Sequence, residues 1–205
     1  MESLKTAVRR NLKDARRVAV LAIGSSLRGD DAAGLQAAEE LRRIRAKARK
    51  KAVQSCRACA TLSIVHRPSS IRKSLRIFLG ETAPENLTGE IKKFRPTHLV
   101  ILDAADVARK KPGSITLVQH GLLRGGSSIS THNMPVNVLV QYLQQSFPCE
   151  VLILGIQPKS HEYGRPLSAP VKQAARRAAA ALAAALRACP RVRNRVDIPP
   201  PARYG

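Results

Sequence analysis

Three polar segments carry the side chains that could do chemistry. Asp30 and Asp31 lie in the loop GSSLRGDD, directly after a short apolar run, and Asp103 ends the most apolar run of the chain. The third segment, THNMP, contains His132. Two carboxylates and one imidazole form an O,O,N donor set, which suits a borderline divalent metal with open coordination positions. A carboxylate can also act as a general base on water. The spacing of these residues is not specific for either chemistry.

Each of these residues also has a purely structural interpretation. An aspartate at the start of a helix can cap the helix by accepting backbone N–H bonds. We expect one of Asp30 and Asp31 to be such a cap, and the other to face the crevice at the strand ends. Asp103 is equally well explained as a residue that stabilises its loop, and a lone histidine such as His132 is more often structural than a ligand.

The elements that must position these residues follow from the hydrophobic pattern. Continuous apolar runs predict buried strands, and 3.6-residue periodicity or Ala-rich composition predicts helices. The strands are expected at 18–23, 75–79, 98–102, 114–118 and 151–154, with a weaker candidate at 62–65; the helices are expected at about 4–12, 32–45, 133–145 and 170–187. Strands that alternate with helices indicate an α/β fold with a mostly parallel, about five-stranded twisted sheet and helices on both faces. In such sheets functional groups gather at the carboxyl ends of the strands.

The chain is strongly basic. Its 205 residues include 36 Lys and Arg against 14 Asp and Glu, a net charge of +22. Much of the excess lies outside the predicted core, so we divide the chain into a basic N-terminal extension (1–17), a main domain (18–188) and a flexible basic tail (189–205). A basic insertion is expected at about 42–74. Its first part, 42–57, holds eight Lys or Arg and no acid, and either extends a helix or forms a solvated insertion.

Composition argues against several classes of protein. With three Tyr, three Phe and no Trp, the chain lacks the aromatic rings that single-strand nucleic-acid modules stack on bases, so a nucleic-acid partner is disfavoured. No apolar run approaches the roughly 20 residues of a membrane span. Four cysteines are too few for a dense disulfide framework, and a cytoplasmic location is expected. Cys56 and Cys59, with His66, lack a fourth ligand for structural zinc, so their spacing is interpreted as incidental.

Six segments, spread over most of the chain, form a recognisable set: 24–34, 82–86, 95–106, 112–115, 130–135 and 152–158. Two of them, with the sequences THNMP and LGIQP, are the most specific. In sequence and in order, the six segments resemble the [NiFe]-hydrogenase maturation endopeptidases, most closely the branch that processes hydrogenase 3 type large subunits. The resemblance implies a three-layer α/β/α sandwich, in agreement with the order of the predicted elements.

The same resemblance implies a function. Members of the family remove a C-terminal peptide from the hydrogenase large-subunit precursor after nickel has been inserted. Their metal-contacting positions fall on Asp31, Asp103 and His132, with the nickel belonging to the substrate. Asp31 and Asp103 are then also the candidate catalytic residues of an aspartic-type, nickel-dependent hydrolysis. The expected partner is the large-subunit precursor, and the protein is expected to be a monomer.

The chain departs from the family pattern at the end of the second strand. Relatives often have an acid-glycine pair there, whereas this chain reads LGET, and Glu81 is the candidate replacement for the acid. Two alternative functions also stay open: a basic nucleic-acid-associated protein, and a non-catalytic factor that checks nickel during hydrogenase assembly.

Overall fold

A computed structural model of the chain describes residues 2–58, 74–106, 110–119 and 136–186. These residues form five strands and five α-helices. The strands are β1 (Arg17–Ile23), β2 (Ser74–Glu81), β3 (His98–Ala104), β4 (Ile115–Gln119) and β5 (Glu150–Ile156). The helices are α1 (Leu4–Asn11), α2 (Ala33–Ala58), α3 (Thr88–Phe94), α4 (Val136–Ser146) and α5 (Ala169–Leu186).

The strands form one sheet in the order β2-β1-β3-β5-β4. All neighbouring strands are parallel except β4, which runs antiparallel to β5 at the edge of the sheet. Strand β2 lies on one side of β1 in the sheet, and the next strand along the chain, β3, lies on the other side of β1. The topological switch point therefore lies between the carboxyl ends of β1 and β3, which is where doubly wound sheets bind their ligands.

Helices cover both faces of the sheet, and this confirms the predicted three-layer arrangement. Alternate side chains of β1 point to opposite faces, as the two-residue period of a strand requires. Val18, Val20 and Ala22 pack with α1, α2 and α5 in one core, while Leu21 and Ile23 pack with α3 and α4 in the other.

The alanine-rich helix α5 lies between α1 and α2 on the first face. Its buried side is made mostly of alanines, so its backbone can approach its neighbours closely. Helix α1 docks beside it through Val8, which is fully buried, and the following Leu12 is buried as well. The four-residue spacing of Leu4, Val8 and Leu12 thus predicted this helix correctly.

Several predicted boundaries differ from the structure. Helix α3 was missed because its seven residues bury only Ile91, which is too little for a periodic signal. The predicted end of β5 at Gly155 is wrong: Gly155 pairs with Asp103 on one side and Thr116 on the other, so the strand continues through it. Residues 42–58 are part of α2, so of the two alternatives left open for 42–57, a helix extension or a solvated insertion, the structure has the helix extension. The weak strand at 62–65 and the tail after 186 lie outside the described residues.

No helix among the described residues is long and apolar enough to cross a membrane.

Candidate active site at the switch point

Asp31 and Asp103 both lie at the carboxyl edge of the sheet. Asp103 belongs to β3, one residue after Leu102, which pairs with Ala22 of β1. Asp31 lies in a turn of 3₁₀ helix (Gly29–Ala32) that joins the loop after β1 to α2. Both carboxylates are almost completely buried, with 3% and 2% of their residue surface exposed. The structure therefore places two of the predicted site residues at the ends of neighbouring strands.

Gly34 allows the start of α2 to sit against these strand ends. A Cβ atom at this position would collide with the carbonyl oxygens of Leu102 and Ile23, well inside the 3.0 Å that Cβ atoms keep from non-bonded atoms. Only glycine lets the helix approach both strands this closely. The contact brings Asp31, three residues earlier, to the edge that carries Asp103.

Asp31 is positioned by two segments of the chain. The backbone N–H of Ser25 donates a hydrogen bond to its Oδ2 (2.9 Å). On the other side, Nδ1 of His161 lies 4.0 Å from its Oδ1, and the imidazole is one-third exposed. One oxygen of Asp31 is thus held by its own loop, while the other faces the loop that follows β5.

Asp30 has a different role from the expected helix cap. Its Oδ1 accepts from the backbone N–H of Ser168 (2.6 Å), and its Oδ2 accepts from the N–H of Lys159 and the hydroxyl of Ser168 (2.8 Å each). The backbone N–H of Asp30 in turn donates to the carbonyl of Ser160. The helix-cap prediction is wrong for Asp30, because this buried carboxylate instead fastens the loop after β5 to the loop after β1.

We expect Asp30→Asn to lower the stability of the fold by about 3 kcal/mol. The amide cannot accept at all the positions that the carboxylate oxygens fill, and each hydrogen bond to a charged group contributes roughly 1.5–3 kcal/mol. For a chain of this length the melting temperature should fall by roughly 6–12 °C in a thermal melt followed by circular dichroism. Asp14→Asn is the matched control, since Asp14 is 80% exposed and should change little. Equal melting temperatures for the two variants would contradict the role given to Asp30.

The two fastened loops carry an exposed apolar rim, formed by Leu27 and Tyr163. The N–H of Gly164 donates to the carbonyl of Leu27 (2.8 Å), which joins the loops a second time. Leu27 is 57% exposed and Tyr163 is 76% exposed, and few large apolar side chains among the described residues have so large an exposed fraction. Clustered apolar side chains at a site edge are typical of surfaces that receive another chain.

A third connection ties the segment after β3 to the segment after β5. The side-chain amide of Gln157, which is buried, donates to Oδ1 of Asp106 (2.9 Å). The backbone N–H of Ala105 donates to the carbonyl of Ile156, beside it. The carboxyl end of β3, and Asp103 with it, is therefore anchored to its neighbour.

Glu81 lies at the carboxyl end of β2, next to the end of β1. Its carbonyl accepts from the N–H of Gly24 (3.0 Å), and its φ of +47° places it in the left-handed region, where a non-glycine residue is uncommon. The side chain is exposed. Its position at the strand ends keeps Glu81 as a candidate replacement for the family acid, and that role stays a prediction.

The third predicted ligand, His132, belongs to 120–135 and falls outside the described part of the chain. The side chains of Cys56, Cys59 and His66, whose spacing is interpreted as incidental, are likewise outside it. Among the described residues, no three His, Cys, Asp or Glu side chains lie close enough together to hold a metal ion. A complete O,O,N set would need His132 in addition to Asp31 and Asp103.

Cys149 does not offer a reactive thiolate near neutral pH. Burial, assisted by the neighbouring charge of Glu150, raises the pKa of its thiol to about 11. The thiolate is both the nucleophile and the metal-binding form of cysteine, so a thiol of this pKa suits neither role at pH 7.

Sequence patterns did not reveal the partners of the two aspartates. His161 and Ser168 reach the site from a loop more than 120 residues away from Asp30 and Asp31. The one available signal was that this loop directly follows LGIQP, at the carboxyl end of the last strand.

Comparisons with known proteins agree with this architecture. A crystal structure of the [NiFe] hydrogenase maturation protease HycI from Thermococcus kodakarensis KOD1 has the same fold, with a TM-score of 0.66 at 24% identity, over 88% of this chain and 98% of that one. The solution structure of an endopeptidase HycI from Escherichia coli is 29% identical, with a TM-score of 0.56, over 80% of this chain and 87% of that one.

Sequence comparison gives the family directly. A sequence model described as HycI, hydrogenase maturation protease, matches residues 62–185. The hydrogenase 3 maturation protease of Escherichia coli K12 is 32% identical over 155 residues, which cover 76% of this chain and 81% of the relative. With two buried carboxylates at the switch point of the shared fold, the chain belongs to the hydrogenase maturation protease family.

Proposed function

We propose that this protein is an endopeptidase that removes the C-terminal peptide from a nickel-loaded [NiFe]-hydrogenase large-subunit precursor, with Asp31 and Asp103 acting at the scissile bond. The observation that carries the proposal is the burial of both carboxylates at the ends of neighbouring strands. The fixed positions of these carboxylates support a catalytic role, because pre-organised groups lower the barrier of a reaction without rearranging during it.

The reaction that suits two carboxylates is hydrolysis by an activated water. One carboxylate takes a proton from the water while the oxygen of the water bonds to the scissile carbonyl carbon. The C–N bond then breaks, and the proton passes to the leaving amine, so the carboxylate returns to its starting form. Asp31 and Asp103 are both buried, and both are candidates for this base.

The substrate's nickel provides a basis for specificity. Asp31 and Asp103, together with His132, would contact the metal through two oxygens and one nitrogen, a set suited to a borderline divalent ion. Bound in this way, the nickel of the substrate would mark a precursor as ready for cleavage and could polarise the scissile carbonyl. The peptide that carries it would lie against the rim formed by Leu27 and Tyr163.

The test is to incubate the protein with purified large-subunit precursor, with and without inserted nickel, and to measure peptide release by mass spectrometry. We expect release of the C-terminal peptide from the nickel-loaded precursor and not from the nickel-free one. Equal release from both would contradict the proposed nickel contact. Release from neither would contradict the peptidase function and favour a non-catalytic checking factor.

A further inference from the structure

Among the described helices, positive charge is concentrated on one face of the sheet, the face covered by α1, α5 and α2. Helices α1 and α5 carry three Lys or Arg each and α2 carries eight, while the acids of these helices are Glu39 and Glu40. On the opposite face, α3 carries two lysines and one glutamate, and α4 carries no charge. The excess charge of the described helices is therefore one-sided.

The two acids of this face are already paired. Glu39 lies within ion-pair distance of Arg42 and Arg43, and Glu40 of Arg43 and Arg176. Further along α2, the side chains of Lys47, Lys50 and Lys51 take part in no ion pair within the described part of the chain. These lysines repel one another and Arg43 at helical spacing, so the surface is suited to an anionic partner.

Positive charge on this face is densest in an exposed stripe on α2, formed by Arg43, Lys47, Lys50 and Lys51. Their spacing of four, seven and eight residues places them on one side of the helix. All residues from 46 to 51 are exposed, so this part of the helix stands clear of the sheet. The stripe lies roughly 14–26 Å along the helix axis from Gly34, at 1.5 Å per residue, and is therefore remote from Asp31.

The composition of the basic face indicates what kind of partner it fits. Protein interfaces have apolar cores enriched in aromatic residues and depleted in lysine. No Phe, Tyr or Trp occurs in α1, α2 or α5, and the large apolar side chains that are exposed in the described residues lie elsewhere: Leu27, Val138, Tyr142 and Tyr163. Within the described side chains of these helices, the same lack leaves no large apolar group to enter a lipid surface and no ring to stack on an unpaired base.

We propose that the basic face of α1, α2 and α5 binds the phosphate backbone of duplex nucleic acid without sequence preference. Backbone binding requires Lys and Arg but neither rings nor apolar anchors. It is therefore compatible with the scarcity of aromatic residues, which argues only against base stacking. An α-helix is about as wide as the major groove, and the 26 residues of α2 extend over about one turn of duplex.

The test uses the full chain and a fluorescein-labelled, mixed-sequence 30-base-pair DNA duplex, with binding followed by anisotropy between 50 and 200 mM salt. The variant Lys47→Gln/Lys50→Gln/Lys51→Gln removes three charges from the stripe. The matched control, Lys93→Gln/Lys110→Gln/Lys111→Gln, removes three exposed charges elsewhere. Circular dichroism verifies that both variants are folded.

For the stripe variant we expect at least tenfold weaker binding at 50 mM salt. The slope of log K against log salt should become shallower by up to about 3, roughly 0.9 for each lost phosphate contact. The control should stay within twofold of wild type. Equal losses in the two variants, or no loss in the stripe variant, would overturn the proposal. The proposal would also be overturned if phosphatidylserine vesicles or polyglutamate bound as tightly as the duplex and lost as much affinity in the stripe variant. That result would assign the face to a membrane or an acidic protein.

Discussion

Replacing Asp31 with asparagine should slow precursor cleavage by at least 100-fold, the lower end of what a general base contributes. Asparagine keeps the shape of the side chain, and its carbonyl oxygen can still accept from the N–H of Ser25. It cannot take a proton from water, and it removes one negative charge from the site. The measurement is a single-turnover cleavage assay on nickel-loaded precursor, which separates the chemical step from product release.

Two further variants make the Asp31 result specific. Asp103→Asn should cause a loss of similar size, because both carboxylates are assigned to the reaction. Asp14→Asn changes an exposed aspartate that precedes the amino end of β1, away from the carboxyl ends of the strands, and should cleave at the wild-type rate. Wild-type rates in both Asp31→Asn and Asp103→Asn would contradict the site.

Gly34→Ala should strongly destabilise the protein. The new Cβ would meet two backbone carbonyl oxygens, of Leu102 and Ile23, and backbone cannot rotate away as a flexible side chain can. Helix α2 would have to move off the strand ends, at a cost of about 3 kcal/mol or more, the upper range for overpacking. The melting temperature should fall by roughly 6–12 °C, and cleavage should fall with it, since Asp31 would be displaced.

Gly89→Ala is the matched control for this substitution. Gly89 lies in α3 and would place its Cβ in open space, with no atom within 4 Å. Alanine there should stabilise the helix by roughly 0.5–1 kcal/mol. A Gly34→Ala variant as stable as Gly89→Ala would show that α2 does not rest on the strand ends as described.

The strands of the sheet could be predicted from sequence because the apolar pattern that specifies each strand lies within a few consecutive residues. Residues 18–23 and 98–102 are unbroken apolar runs, which is what a strand buried on both faces requires, and both are strands in the structure. The carboxyl ends of such strands indicated where Asp31 and Asp103 would lie. Helix α3 gave no comparable signal, since a seven-residue helix with one buried side chain has no measurable period.

The length of α2 could not be decided from sequence because two local effects oppose each other. Alanine, lysine and arginine have high helix propensity, whereas like charges four residues apart weaken a helix. In the structure the helix continues to Ala58, so propensity outweighs repulsion.

The supports of the site were beyond prediction for a different reason. The bonds of Asp30 to Lys159 and Ser168 join segments that are remote in sequence and meet only in the folded sheet. Neither periodicity nor spacing carries that information. An adjacent acid pair could be recognised from sequence as unusual, but which acid holds the loop after β5 and which accepts from Ser25 required the tertiary structure.

The most direct test of the peptidase assignment is the intact mass of nickel-loaded large-subunit precursor after incubation with the wild-type protein in heavy-oxygen water. We predict two products whose masses add up to that of the precursor plus one water, with one heavy oxygen in the new C-terminal carboxylate of the large subunit. A precursor of unchanged mass, in the presence of protein shown to be folded, would contradict the assignment.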